Sequence, residues 1–376
     1  MTTIGIICEY NPFHNGHIYH IKKIKEMYKD SIIILVMSGN FTQRGDISII
    51  NKWDKTKIAL ENNIDLVIEL PFVFATQGAD MFAKGAIQIL NNLKVDKLIF
   101  GSESNNIKEL TELAKIQLQE NYENLVKKYT NDGMNYPTAT SLALKQLGKK
   151  EIKEPNDILG LCYIKEIIKQ KSSIEPITIK RTNNYHEKEL KQISSATAIR
   201  EAIKNNEDIK NYIPEESLKY INKNAFIDNY YNYLKYKILT TNNLEKYETV
   251  DNIQYRIKEY INESNNLEEL INKIKTKRYT YNRIKRMLLH ILCDFTKEEN
   301  KKCQNIEYIR ILGFNKIGKS YLNKIKKQTN IPIISKFEKN NTMLNIEYRS
   351  TCVYSLIFKN SKEIIESEYK NKPIIK

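Results

Sequence analysis

The chain has 376 residues, with 60 Lys and Arg against 45 Asp and Glu, which gives a formal net charge of +15. This length predicts two or three domains with a substantial core. Every apolar run is far shorter than the ~20 residues of a membrane span. The five cysteines are widely spaced and form no C-x-x-C pair, so we expect a protein of the reducing cytoplasm without disulfides or a structural zinc.

The basic excess is uneven along the chain. Residues 1–200 carry 27 basic and 23 acidic side chains, a net +4, whereas residues 201–376 carry 33 and 22, a net +11. A clustered basic excess is typical of a protein that binds a polyanion such as nucleic acid. A genome that favours Lys, Asn and Ile gives the same composition, so charge alone leaves both interpretations open.

The first strand, turn and helix carry the clearest motif. Residues 4–8 are an apolar run that predicts a buried parallel strand. Residues 11–16 contain Asn, Pro and Gly, which favour a turn, and a helical apolar pattern follows. His14 and His17 flank Gly16 at this junction. Free amides at a helix start bind anions, glycine allows close approach of a ligand, and two imidazoles can stabilise phosphate charge as pyrophosphate leaves. The alternative is a solvated histidine-rich loop.

Strands and helices alternate through residue 181. This spacing predicts an α/β fold with a doubly wound parallel sheet, which binds its ligands beyond the carboxyl ends of the strands. The predicted strands are residues 31–37, 65–70, 96–100 and 177–181, and the predicted helices are residues 52–62, one ending at residue 90, 107–129, 134–147 (capped by Thr138) and 155–168.

Several polar residues follow these strands or begin a helix, where they can contact a ligand. Each has a purely structural alternative: a solvated arginine in a surface turn, a turn glycine, a helix cap or a surface histidine. The candidates are Gln43, Arg44, Gly101, Asn156, Arg181 and His186.

A second chemical motif lies in residues 192–202. Ser194, Ser195 and Thr197 precede a helical run that carries Arg200, so hydroxyls and free amides converge at one helix start. If this motif were only a helix cap, it would explain the two serines but not the arginine that follows them.

From residue 216 the pattern changes to helices rich in Tyr, Lys and Asn. We therefore expect a catalytic domain in residues 1–215, followed by a basic, mainly helical region in residues 216–376. Residues 276–292 combine an apolar helical face with cations that can meet an RNA backbone and a tyrosine that can stack on a base. A solvated basic face is the alternative there, and the sequence gives no role to the final ~70 residues.

The motifs carry a resemblance to known proteins. H-N-G-H, residues 14–17, resembles the H-x-G-H signature of the nucleotidylyltransferase superfamily, and E-Y-N-P-F-H-N-G-H closely resembles the tRNA(Met) cytidine acetate ligase family. Residues 194–200 are similar to the superfamily's S-S-T-x-I-R motif, with Ala196 in place of the second serine. Which of Ser194 and Ser195 contacts phosphate therefore stays open.

The resemblance implies an ATP-dependent ligase. Acetate would attack the α-phosphate of ATP to give acetyl-adenylate and pyrophosphate, and N4 of the wobble cytidine of elongator tRNA(Met) would take the acetyl group, yielding N4-acetylcytidine. Mg²⁺ would neutralise part of the triphosphate charge. A nucleotidylyltransferase acting on a small metabolite and a non-catalytic RNA-binding protein are the rivals; the basic C-terminal region disfavours the first, and the intact histidine motif disfavours the second.

The resemblance also assigns residues to these roles. No protein ligand for a metal ion is expected, and the oligomeric state is open. The catalytic residues would be His14, His17, Ser195, Thr197 and Arg200; the ATP-binding residues Ile7, Cys8, Glu9, Tyr10, Asn11, Pro12, Phe13, His14, Asn15, Gly16, His17, Ile18, Tyr19, His20, Gly101, Asn156 and Arg181; and the tRNA-binding residues Lys277, Arg278, Tyr279, Arg283 and Arg286.

Overall fold

A computed structural model of the chain describes residues 1–181 and 194–376. Its centre is a mainly parallel sheet, as the sequence predicts. The strands of the described residues are β1 (Thr3–Cys8), β2 (Ile32–Ser38), β3 (Leu66–Leu70), β4 (Lys97–Ser102), β5 (Glu175–Lys180), β6 (Ile309–Phe314), β7 (Ile333–Ile334) and β8 (Ile374–Ile375). In the sheet they follow the order β5-β4-β1-β2-β3-β6-β7, and β8 pairs with β6.

The helices surround this sheet. Those of the described part of residues 1–215 are α1 (Asn15–Met27), α2 (Lys52–Glu61), α3 (Phe72–Ala75), α4 (Ala79–Asn92), α5 (Ile107–Gln117), α6 (Glu120–Asn131), α7 (Tyr136–Gln146), α8 (Pro155–Lys169) and α9 (Ala196–Lys204). Those that follow are α10 (Glu215–Leu218), α11 (Tyr231–Thr240), α12 (Gln254–Tyr260), α13 (Leu267–Ile274), α14 (Tyr281–Leu292), α15 (Lys297–Lys302), α16 (Lys316–Ile325), α17 (Thr342–Ser355) and α18 (Ser361–Lys370), with 3₁₀ turns at Ile227–Tyr230 and Leu244–Lys246.

The middle strands are apolar because helices cover both faces of the sheet. Every residue of β2 and β3 is buried. A continuous apolar run, as opposed to an alternating one, is the pattern of a strand packed on both sides. Parallel pairing of β1 with β2 and β4, and of β4 with β5, then brings their carboxyl ends to one edge.

Two local predictions are wrong. The helix predicted over residues 107–129 is two helices, α5 and α6, separated by Leu118 and Gln119. The cap of α7 is Asn135, whose side chain accepts a hydrogen bond from the amide of Thr138 at 3.0 Å, so Thr138 lies inside the helix. Asparagine is as good a cap as threonine, and Pro137 fits the first turn that follows it.

The C-terminal residues extend the same sheet. β6 pairs antiparallel with β3, and β8 pairs with β6. The region 216–376 is mainly helical, as predicted, but its last part gives strands to the sheet of residues 1–215. No helix formed by the described residues is long and apolar enough to span a membrane.

Candidate active site

A cleft of about 540 Å³ opens where β1, β2, β4 and β5 end. This volume lies within the range of small-molecule sites, about 300–1000 Å³. The cleft is lined by the turn between β1 and α1, the loop after β2, the ends of β4 and β5, the starts of α8 and α9, and the first turns of α14. All the proposed catalytic residues line this cleft, as do Gly101, Asn156, Arg181 and Arg286.

The two motif histidines cap the helix that they begin. His14 is the N-cap of α1, and its Nδ1 accepts a hydrogen bond from the amide of Gly16 at 3.0 Å. Nδ1 of His17 accepts from the amide of His14 at 3.2 Å, and the two ring centroids are 3.9 Å apart. A ring nitrogen that accepts an N–H carries no proton, so the proton of each neutral imidazole is on Nε2. Both rings are therefore fixed as Nε2–H donors.

These histidines are neutral at physiological pH. Burial, together with the charges of Arg181 and Arg200, lowers the pKa of His14 to about 3. Burial also holds the pKa of His17 well below its usual value and lowers that of His20 to about 4. The imidazoles thus supply hydrogen bonds to an anion, while the positive charge of the cleft comes from its arginines.

The start of α9 faces the same cleft. Ser195 is the N-cap, and its Oγ accepts a hydrogen bond from the amide of Ala198 at 3.1 Å. A hydroxyl that accepts an amide still has a proton to donate, so Ser195 can cap the helix and bind phosphate together. Ser194 also lines the cleft. Both serines remain candidates for the phosphate contact.

Arg200 connects α9 to the turn between β1 and α1. Its Nη1 donates to the carbonyl of Asn11 at 2.7 Å, and its Nη2 donates to Oγ1 of Thr197 at 3.3 Å. The guanidinium is therefore held between the two helix starts, whose free amides both attract anions.

At the other side of the cleft, Glu103 positions two of the predicted ATP contacts. Its Oε1 accepts from Nδ2 of Asn156 at 2.5 Å and lies 3.7 Å from Nε of Arg181. The cap of α8 is Glu154, so Asn156 is not the helix cap that was its alternative role. A Cβ at Gly101 would lie 3.2 Å from Cγ of Arg181. His186 lies outside the described residues.

A buried lysine fixes the ends of β1 and β2. Nζ of Lys55 donates to the carbonyls of Glu9, Ser38 and Gly39, each at 2.8 Å. Burial lowers the pKa of Lys55 to about 7. The Glu9 carboxylate accepts from the amide of Gln43 at 2.7 Å, which ties down the loop after β2. The sequence does not indicate the roles of Lys55 and Glu103, because the burial of a polar residue on a predicted helix or loop becomes visible only in the folded chain.

The basic helix α14 forms a wall of the cleft. Asn282 and Arg286 line it. A Cβ at Gly45, whose φ is +76°, would lie 2.7 Å from the amide nitrogen of Arg286, and Lys285 forms an ion pair with Asp46. The loop after β2 and the predicted RNA-binding helix are thus in direct contact.

The other predicted RNA-binding residues do not line the cleft; three of them, Lys277, Arg278 and Arg283, lie on α14 or just before it and are called the rim cations below. Lys277 and Arg278 are exposed. Nη2 of Arg283 lies 3.1 Å from Oδ2 of Asp251. Tyr279 is only 5% exposed, and its hydroxyl donates to the carbonyl of Asp251. The Tyr279 ring therefore packs inside the protein and supports the cations above it, in place of the base stacking expected from sequence.

Metal ligands are not clustered in the described part of the chain. Within residues 1–181 and 194–376, no group of three or more His, Cys, Asp and Glu side chains is arranged to hold a metal ion.

The fold and the histidine cleft define a class of protein. The profile of the HIGH Nucleotidyl Transferase family matches residues 1–368, so the chain belongs to that family. More particularly, it is 39% identical to the tRNA(Met) cytidine acetate ligase of Caldicellulosiruptor saccharolyticus, over 100% of this chain and 98% of that protein. It is also 39% identical to the protein of that name from Clostridium acetobutylicum, over the full length of both.

Solved structures agree with this assignment. The chain resembles the crystal structure of Thermotoga maritima TmcAL in its apo form, with a TM-score of 0.92 and 31% identity over 100% of this chain and 99% of that one. The structure of the same protein bound with alpha-thio ATP matches with a TM-score of 0.90 and 30% identity over the same shares. The family predicted from the motifs of residues 9–17 and 194–200 is thereby confirmed.

Proposed function

We propose that this protein activates acetate with ATP and transfers the acetyl group to N4 of the wobble cytidine of elongator tRNA(Met). The observation that carries the proposal is the pair of neutral imidazoles, His14 and His17, each fixed by a backbone amide so that Nε2–H donates. They stand with Arg200 and the start of α9 in one cleft. Family membership supports the same reaction.

In the first step, a carboxylate oxygen of acetate bonds to the α-phosphorus of ATP while the bond to the pyrophosphate oxygen breaks. Charge grows on the departing pyrophosphate. Nε2–H of His14 and His17, the hydroxyls of Ser195 and Thr197, and the guanidinium of Arg200 supply preorganised donors for it. Such a displacement needs positioning and charge stabilisation and no general base.

In the second step, N4 of the cytidine bonds to the acetyl carbon. The bond between that carbon and the phosphate oxygen breaks, AMP leaves, and N4 releases a proton. The products are N4-acetylcytidine and AMP.

The nucleotide would bind as its Mg²⁺ complex. Mg²⁺ usually keeps several waters and binds through substrate phosphates, so it would neutralise part of the triphosphate charge without a dedicated set of protein ligands. Residues 7–20, with Gly101, Asn156 and Arg181, would hold the nucleotide.

We assign tRNA binding to residues 216–376 and catalysis to residues 1–215. Lys277 and Arg278 are exposed just before α14, which carries Arg283, and these rim cations offer phosphate contacts. The proposed substrates, ATP and tRNA, and the five free cysteines agree with a cytoplasmic location.

One experiment separates the candidate functions. The protein is incubated with ATP, radiolabelled acetate and bulk tRNA, and both pyrophosphate and labelled RNA are measured. The ligase predicts acetate-dependent pyrophosphate release and label in tRNA at cytidine. Pyrophosphate release without labelled RNA would favour a small-metabolite nucleotidylyltransferase, and the loss of both signals would leave an RNA-binding protein.

A further inference from the structure

Arg286 differs from the other cations of its helix. Nη1 donates to the carbonyl of Gln43 at 3.3 Å, while its Nε is buried without a hydrogen-bond partner. Its helix neighbours Arg283 and Lys285 are paired with Asp251 and Asp46. Among residues 1–181 and 194–376, no carboxylate forms an ion pair with Arg286. A half-buried guanidinium that lines the cleft and whose buried Nε–H has no partner is suited to an anionic ligand.

The place of Arg286 in the cleft limits what that anion can be. Strand order puts β4 and β5, with Gly101 and Arg181, on one side of β1, and β2 on the other. Arg286 contacts Gln43, in the loop after β2, so it stands on the side away from Arg181. The histidines and the start of α9 lie between these sides and already offer donors for the triphosphate.

The helix that carries Arg286 also carries or follows the rim cations. Arg283 lies almost one turn earlier, and the exposed Lys277 and Arg278 precede the start of α14. A polyanion that crosses these rim cations and enters the cleft along α14 next meets Arg286. A nucleic acid backbone carries one phosphate per nucleotide and can therefore contact several of these cations in succession.

We propose that Arg286 binds a backbone phosphate beside the acceptor nucleotide and so positions that nucleotide over the activated acyl group. The inference rests on the proposed function and deepens it, because it assigns Arg286 to the second step alone. Arg286 is thus a binding residue for the RNA substrate inside the cleft, distinct from the rim cations, which act on affinity for the whole tRNA.

The test uses Arg286→Met in the full chain and measures the two steps separately. Acetate-dependent exchange of ATP with labelled pyrophosphate, without RNA, reports the first step and the integrity of the fold. Single-turnover transfer to saturating tRNA reports the second. We expect exchange within about twofold of the original protein and transfer slower by about 10- to 100-fold, the range for a lost charged hydrogen bond.

The salt dependence of tRNA binding gives a second readout. Loss of one phosphate contact should reduce the slope of log affinity against log salt concentration by about 1. Arg286→Lys keeps the charge without the planar fork, so it should retain the slope and recover part of the transfer rate. The matched control is Lys319→Ala: this exposed residue lies on α16, whose start contacts Asp65 at the opposite edge of the sheet. It should leave rate and slope unchanged.

The outcomes are distinguishable. Equal losses of exchange and transfer in Arg286→Met would assign Arg286 to ATP and overturn the inference, as would transfer at the normal rate. A protein that performs neither step before any substitution would overturn the proposed function itself.

Discussion

His14 and His17 each use one ring nitrogen for the fold and the other for chemistry. The Nδ1 atoms accept amide hydrogens at the start of α1, where aspartate or serine would serve as well. Aspartate would leave no donor for phosphate, and serine would keep its single hydroxyl near the position of Nδ1, with no donor at the position of Nε2. Histidine caps the helix and still presents Nε2–H, which explains why this residue type stands at an unusual capping position.

Replacing His14 by Asn separates the two roles. Asparagine is a strong N-cap, so the midpoint of thermal unfolding should stay close to that of the original protein, whereas His14→Ala should lose about 1 kcal/mol of stability. Acetate-dependent ATP–pyrophosphate exchange should fall about 10²- to 10³-fold in both variants, because each lacks the donor at Nε2. Normal exchange in His14→Asn would contradict the assigned role.

A corresponding pair of variants tests His17. The amide nitrogen of Gln reaches close to the position of Nε2, whereas the amide of Asn reaches only that of Nδ1. His17→Gln should therefore retain more exchange activity than His17→Asn, with the same tRNA affinity in both. The reverse order, measured in the same exchange assay, would show that Nδ1 carries the catalytic contact.

His290 links burial to pH dependence at a site outside the cleft. Burial lowers its pKa to about 3, while the unfolded chain has a value near 6.5. A depressed histidine pKa gives stability that is present above pH 6.5 and is lost as the pH falls toward 3. Between pH 7.5 and 5.5 the original protein should therefore lose about 1.4 kcal/mol relative to His290→Gln. Urea unfolding at both pH values measures this difference, and a difference that stays constant would disprove the shift.

At the scale of elements, regular apolar patterns can be predicted from the sequence, whereas a local helix break and long-range contacts cannot. The apolar runs of β1 to β4 could be predicted to within about two residues because burial on both faces demands them, whereas the edge strand β5 is mostly half-buried. The break between α5 and α6 has no glycine or proline at Leu118 and Gln119 to reveal it. Glu103 and Lys55 could not be predicted, because their roles depend on which strand ends and helix starts become neighbours.

The end of β4 offers an element-scale prediction. Gly101→Ala places a methyl group 3.2 Å from the flexible Arg181 side chain, so the arginine should shift and the KM for ATP should rise severalfold with little loss of stability. Gly160→Ala is the contrasting control, since its Cβ would lie 2.2 Å from the Phe100 ring and overpack the core, at about 1–3 kcal/mol. Steady-state kinetics and thermal unfolding measure both. An unchanged KM in Gly101→Ala would remove Arg181 from the nucleotide site.

At the scale of the whole molecule, a buried charge cluster fastens the C-terminal residues to the sheet. Nζ of Lys52 lies 2.5 Å from Glu69 on β3, 3.2 Å from Glu347 on α17 and 2.7 Å from Glu368 on α18. Arg310 on β6 also pairs with Glu69 and Glu368. The charges of Arg310 and Lys52 lower the pKa of Glu368 to about 2 despite its burial, so this carboxylate stays ionised. Nothing in the sequence pattern indicates this cluster, because its members are up to 316 positions apart.

Lys52→Met tests whether this cluster holds the molecule together. It leaves three buried carboxylates with one cation, so we expect a loss of about 3–5 kcal/mol. Lys57→Met on the same helix breaks a surface pair with Asp54, in which Lys57 is 43% exposed, and should cost about 0–1 kcal/mol. Denaturant unfolding of both variants makes the comparison. Equal effects would mean that the buried charges contribute no more than surface ones.

The central claim is that ATP binds where β1 meets α1. A crystal structure of this protein with a non-hydrolysable ATP analogue tests it most directly. We predict phosphate oxygens within hydrogen-bond distance of Nε2 of His14 and His17 and of the start of α9, with the adenosine toward Gly101 and Arg181. Analogue density elsewhere, with this cleft empty, would contradict the claim.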